Sequence, residues 1–108
     1  MKELKSVILK ELEHISLDYP NLRFGLAGSY ARGEETSSSD VDIVVDTDML
    51  TIEQIDNIKE RFNMDVDVVQ LKLLENEDMQ LDKFSVEHNL PINEDSAYKS
   101  ISREVIWV

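Results

Sequence analysis

Gly28-Ser29-Tyr30-Ala31-Arg32-Gly33, a polar stretch to Ser39, and then Asp40-Val41-Asp42-Ile43-Val44-Val45-Asp46 decide how this chain reads. Ahead of them, Leu22 to Ala27 is a short apolar run of strand length. Asp40 to Asp46 is rich in β-branched residues and predicts a second strand. Between the two, residues 33–39 form a loop without an apolar side chain. The chain's glycines are Gly25, Gly28 and Gly33, and Gly28-Ser29 falls where a strand should turn into a short helix. That turn aims free backbone N–H groups, with a hydroxyl beside them, at an anion such as a phosphate. A strand-to-helix turn that simply needs a small residue is the plainer reading.

The aspartates shift the balance. Asp40 and Asp42 are two residues apart and project from one face of the expected strand, roughly 6–7 Å apart along it. Aspartate is disfavoured in strands, and paired carboxylates repel each other more strongly where water is scarce. Met64 to Leu71 predicts a third strand and repeats the pattern with Asp65 and Asp67. A solvent-facing sheet surface could carry either pair. Both pairs beside a Gly-Ser turn are better explained by a divalent cation such as Mg²⁺, which takes a few carboxylates together with water and substrate phosphates.

Working outward, Leu4, Val7, Ile8, Leu12 and Ile15 lie at helical spacing and predict an amphipathic helix over 2–17, ended by Tyr19-Pro20. Thr51 and Gln54 have capping-box spacing and open a helix through about Phe62, with Ile52, Ile55, Ile58 and Phe62 inward. Farther on, a helix over about 75–88, a break at Pro91, a helix near 95–102 and a closing strand over 105–108 are expected. Strands alternating with helices imply an α/β or α+β domain, a small sheet with helices packed on it. With 108 residues, a single domain over 1–108 is expected.

Charge limits the partners. Eleven Lys and Arg against 23 Asp and Glu give a formal charge of −12. Such a chain repels DNA and RNA backbones and acidic membranes. Having no cysteine, it has no disulfide, thiolate zinc site or thiol nucleophile. Charged residues interrupt every apolar run among the first 20, so neither a leader nor a membrane span is read there, and a cytoplasmic protein is expected. His14 and His88 lack metal-ligand spacing and read as structural or surface residues. Asp46 belongs to a turn, Ser37-Ser38-Ser39 lacks a histidine base, and Trp107 reads as core or as an interface anchor, core being the first reading.

Gly28-Ser29, ten intervening residues and Asp40-Val41-Asp42 resemble the signature of the DNA polymerase β-like nucleotidyltransferase superfamily. The fuller string is similar to the minimal nucleotidyltransferases of prokaryotes, including their antitoxin members. The resemblance covers about residues 22–72. It implies the polymerase β-like fold, with ATP as substrate and two Mg²⁺ ions as cofactors. Gly28 and Ser29 would hold the nucleotide's terminal phosphates. Asp40 and Asp42 would bind metal, and Asp67 would complete the set and help deprotonate the incoming hydroxyl, with Asp65 as the alternative. Arg32 could approach a phosphate or pair with Glu34, Glu35 or an aspartate. By the same analogy, the chain would transfer AMP to a hydroxyl, a tyrosine of a HEPN-type toxin encoded nearby, and so act as an antitoxin. A non-catalytic acidic binding module of the same fold and an aminoglycoside-type small-molecule transferase are the alternatives.

Overall fold

The computed structural model describes residues 2–108, with side chains from Leu4 onward; Met1 lies outside the described residues. Helix α1 (Lys2–Asp18) is followed by strand β1 (Phe24–Ala27), the short helix α2 (Gly28–Arg32) and strand β2 (Val41–Val45). Helix α3 (Ile52–Glu60), strand β3 (Val66–Gln70), helices α4 (Leu71–Glu87) and α5 (Ala97–Glu104) and strand β4 (Ile106–Trp107) complete the order. The sheet runs β3-β2-β1-β4. β1 pairs antiparallel with β2 and β4, while β2 and β3 are parallel, joined through α3. This is the mixed sheet with packed helices that the alternating pattern implied.

Strand periodicity divides the sheet into two covered faces. Val41, Ile43 and Val45 point with Phe24 and Leu26 into a core built with Ile8, Leu12 and Ile15 of α1 and Ile58 of α3. Ala27, Val44 and Leu71 form the smaller opposite core, against which Tyr98, Ile101, Val105 and Trp107 pack. Every residue of β2 except Asp42 is buried. A central strand covered on both faces needs continuous apolar sequence, so the one polar residue within it stands out.

Several boundaries differ from the expectations. The third strand stops at Gln70, and α4 begins directly at Leu71, four residues before the expected start. Leu71 joins the smaller core as the first helical residue, and an apolar run cannot by itself distinguish strand end from buried helix start. Asp40 and Asp46 flank β2 instead of lying in it, and the first strand starts at Phe24. The capping box at Thr51 and Gln54 is present in both directions. Helix α5 spans 97–104 and is capped by the Ser96 hydroxyl, which accepts from the Lys99 N–H. Trp107 is half-buried, packed against the smaller core with the Arg23 guanidinium 4.3 Å over its ring. Among the described residues, no helix is long and apolar enough to cross a membrane.

Candidate active site

The chemistry-bearing residues gather where β1 turns into α2, on the sheet face that α4 and α5 cover. Register does most of the assembly. Asp42 of β2 stands directly beside Asp67 of β3, and adjacent strands lie only about 4.8 Å apart. On its other side, Asp42 faces Ala27, the last residue of β1. The Gly28 turn therefore sits against the Asp42 carboxylate.

Gly28 is required there on two counts. Its φ is +75°, in the left-handed region, and a Cβ on it would fall on the Asp42 side chain. Ser29 follows as the second residue of α2, half-buried, and Tyr30 and Ala31 anchor that short helix in the core. The helix closes at Gly33, φ +73°, a left-handed C-terminal cap. The Lys5 ammonium donates to the Ala31 carbonyl at 2.9 Å.

The electrostatics single out Asp42. Its carboxyl is held above the ordinary aspartate range, first by burial and then by the charges of Asp67, Asp40 and Glu104; Arg32 pulls the other way. Asp40, just ahead of β2, is exposed, as are Asp67 and Asp65. The Asp65 carbonyl accepts the Val41 N–H at 3.1 Å, so this residue serves the β2–β3 pairing through its backbone. Of the two third-carboxylate candidates, Asp67 is the one in register with Asp42.

One participant escaped the sequence reading. Glu104, the last residue of α5, places Oε1 3.0 Å from the Gly28 N–H, which donates to it. Its Oε2 accepts from Arg32 Nη1 at 2.7 Å. The Arg32 Nε donates to Glu34 at 2.9 Å, so the expected ion pair is present and a second, unforeseen one accompanies it. A separation of 76 residues between Gly28 and Glu104 carries no local spacing signal, and Glu104 lies just past the helix expected near 95–102.

The donor set is all oxygen, on neighbouring strands, with repulsion left unrelieved at Asp42. That chemistry suits a hard divalent cation. Among the described residues, no three His, Asp or Glu side chains stand together as a preformed cation cage. Asp42 and Asp67 are adjacent, and Asp40 lies at the strand's entrance. A 420 Å³ groove lined by Ile15, Asp18, Tyr19, Ile58 and Arg61 opens between α1 and α3, on the sheet's opposite side. His14 and His88 are both exposed, and His88 stacks on Phe84.

Comparison with known proteins identifies the family. Residues 5–107 match the family model described as "Nucleotidyltransferase domain". A protein of Methanocaldococcus jannaschii named "Putative protein adenylyltransferase" is 30% identical over 83 residues, covering 70% of this chain and 83% of its own length. No solved structure matches the chain at a significant level. With residues 5–107 inside the family model, and with the mixed sheet and helices of the described residues consistent with the polymerase β-like fold, the chain belongs to the nucleotidyltransferase domain family.

Proposed function

We propose that this nucleotidyltransferase moves AMP from ATP onto a hydroxyl of a protein, a tyrosine of a HEPN-type toxin, and thereby acts as its antitoxin. The observation that carries the transfer chemistry is the in-register Asp42–Asp67 pair beside the Gly28 turn. The M. jannaschii relative, by its name, supports a protein acceptor. So does the formal charge of −12, which disfavours nucleic acid.

In this reading, the Gly28 and Ser29 backbone, the Ser29 hydroxyl and Arg32 bind the β- and γ-phosphates and orient the α-phosphorus for in-line attack. Asp40, Asp42 and Asp67 would hold magnesium, which would supply charge neutralisation at the phosphates and acidify the acceptor hydroxyl. Asp67 is exposed, so it can reach an incoming hydroxyl and accept its proton as the new oxygen–phosphorus bond forms. Pyrophosphate leaves on the opposite side. Positioning and charge compensation carry such a reaction, and neither a histidine nor a cysteine is needed.

Label transfer tests this. The chain is incubated with Mg²⁺ and a lysate of its source cells, using ATP labelled at the α- or the γ-phosphate, beside Asp42→Asn. A protein band labelled only from the α-phosphate and absent with Asp42→Asn is expected. No labelled protein under these conditions overturns the protein-acceptor reading. Toxin neutralisation that survives Asp42→Asn moves the assignment to an acidic binding module.

A further inference from the structure

Glu104 accepts hydrogen bonds from two donors at the β1–α2 turn. Its carboxylate bridges a backbone N–H at the β1–α2 turn and a guanidinium on α2, one oxygen to each. Backbone N–H groups and arginine side chains are the donors with which proteins hold phosphate oxygens. A carboxylate in the same position carries less charge than a triphosphate, but the same sign and acceptor geometry.

Glu104 is an unexpected neighbour on electrostatic grounds. It adds another negative charge beside Asp42, which already faces Asp67 and Asp40. Arg32 compensates it, but that guanidinium is 44% exposed and shared with Glu34. Ion pairs of this exposure are weak and exchangeable. The element carrying Glu104 is also lightly held: α5 has eight residues, none of them buried. It is tied to α4 through Tyr98 donating to Glu75 at 2.7 Å and Lys99 reaching Asp82 at 3.1 Å.

We propose that Glu104 is an affinity-setting residue that occupies the Gly28–Arg32 phosphate position in the nucleotide-free chain and must leave it when a triphosphate enters. The inference rests on the nucleotide-site reading above and adds to it a built-in competitor from the C-terminal helix. Triphosphate binding then includes the cost of releasing Glu104 from Gly28 and Arg32. A ligand without phosphates does not meet that cost.

Titrations of the intact chain with Mg²⁺ and inorganic tripolyphosphate, ATP or adenosine distinguish this from a structural role. Glu104→Gln keeps an acceptor for the Gly28 N–H and removes the charge. It should tighten tripolyphosphate and ATP about three- to fivefold, in line with the weakness of the pair lost, and leave adenosine unchanged. Equal tripolyphosphate affinity in the two proteins overturns the proposal while leaving the nucleotide site standing. Weaker binding by Glu104→Gln also overturns it, because Glu104 would then support the site. Absence of ATP and tripolyphosphate binding in both proteins removes the nucleotide reading as well.

Carbon-detected NMR of the wild type gives an independent readout that does not depend on a variant folding. On adding tripolyphosphate, the Glu104 carboxylate and Gly28 amide signals should shift together as one bond is exchanged for another. A Gly28 amide that shifts while the Glu104 carboxylate does not contradicts displacement.

Discussion

At the scale of single residues, Gly28 and Asp42 depend on each other. Gly28→Ala places a Cβ on the Asp42 carboxylate in a backbone conformation that L-residues avoid. The left-handed φ alone costs roughly 1–2 kcal/mol, and moving Asp42 out of line with Asp67 should abolish transfer. Thermal melting and label transfer on the same preparation check both expectations. Asp42 also makes a pH prediction. Its carboxyl is raised in the folded chain, so the native state binds a proton more tightly than the unfolded chain. Its effect on stability is therefore neutral below the ordinary aspartate range and becomes a penalty as pH climbs through the raised value. In metal-free buffer, Asp42→Asn should melt higher than wild type at pH 7, and the difference should shrink towards pH 4. Melting curves at the two pH values decide this; a difference that does not shrink towards pH 4 contradicts the assigned cause.

At the scale of elements, the site is supported by two short helices, α3 and α5, whose first turns are capped by side chains. The Thr51 hydroxyl accepts from the Gln54 N–H while the Gln54 side chain accepts from the Thr51 N–H, which fixes where α3 begins. Because α3 joins β2 to β3, its start helps set the parallel register that puts Asp67 beside Asp42. Thr51→Ala should cost about 1 kcal/mol of stability, measured by urea denaturation, with transfer retained in the folded fraction. Helix α5 is secured differently. Lys99 lies between Asp78, which is buried, and Asp82, at 3.7 and 3.1 Å. That cluster ties the first turn of α5 to α4.

Across the whole molecule, charge dominates. A net −12 on 108 residues means long-range self-repulsion in the compact state, which salt screens over a Debye length of about 8–10 Å near physiological ionic strength. Raising NaCl from 20 to 300 mM should raise the melting temperature, and a lowered melting temperature would show that the exposed pairs of Arg32 with Glu34, Arg61 with Glu11 and Asp18, and Arg103 with Asp95 outweigh the repulsion. The acidity also bears on the inference about Glu104, since a nucleotide enters an already negative site. The fixed donors at Gly28 and Arg32 must then overcome both that field and the carboxylate they hold.

The elements that a local pattern encodes were legible before any coordinates. Helical spacing in α1, the Thr51–Gln54 box, the β-branched run of β2 and the Gly28-Ser29 turn each draw on residues within a few positions of one another, so their physics is written consecutively. Period-two alternation likewise put Asp40 with Asp42 on one face of their strand and Asp65 with Asp67 on one face of theirs. What the chain's order could not supply was which strand lies beside which, and in what register. That depends on burying two apolar faces at once: α1 and α3 over one side of the sheet, α4 and α5 over the other. The start of α4 at Leu71 was hidden because an apolar residue serves equally as strand end or helix start. Glu104 was hidden because its partners are 76 and 72 residues away, and only the packing of α5 back against α2 brings its carboxylate to the turn. Sequence alone thus determined the donor types and the local turns that hold them, whereas tertiary packing decided which carboxylates face each other and which one occupies the cradle.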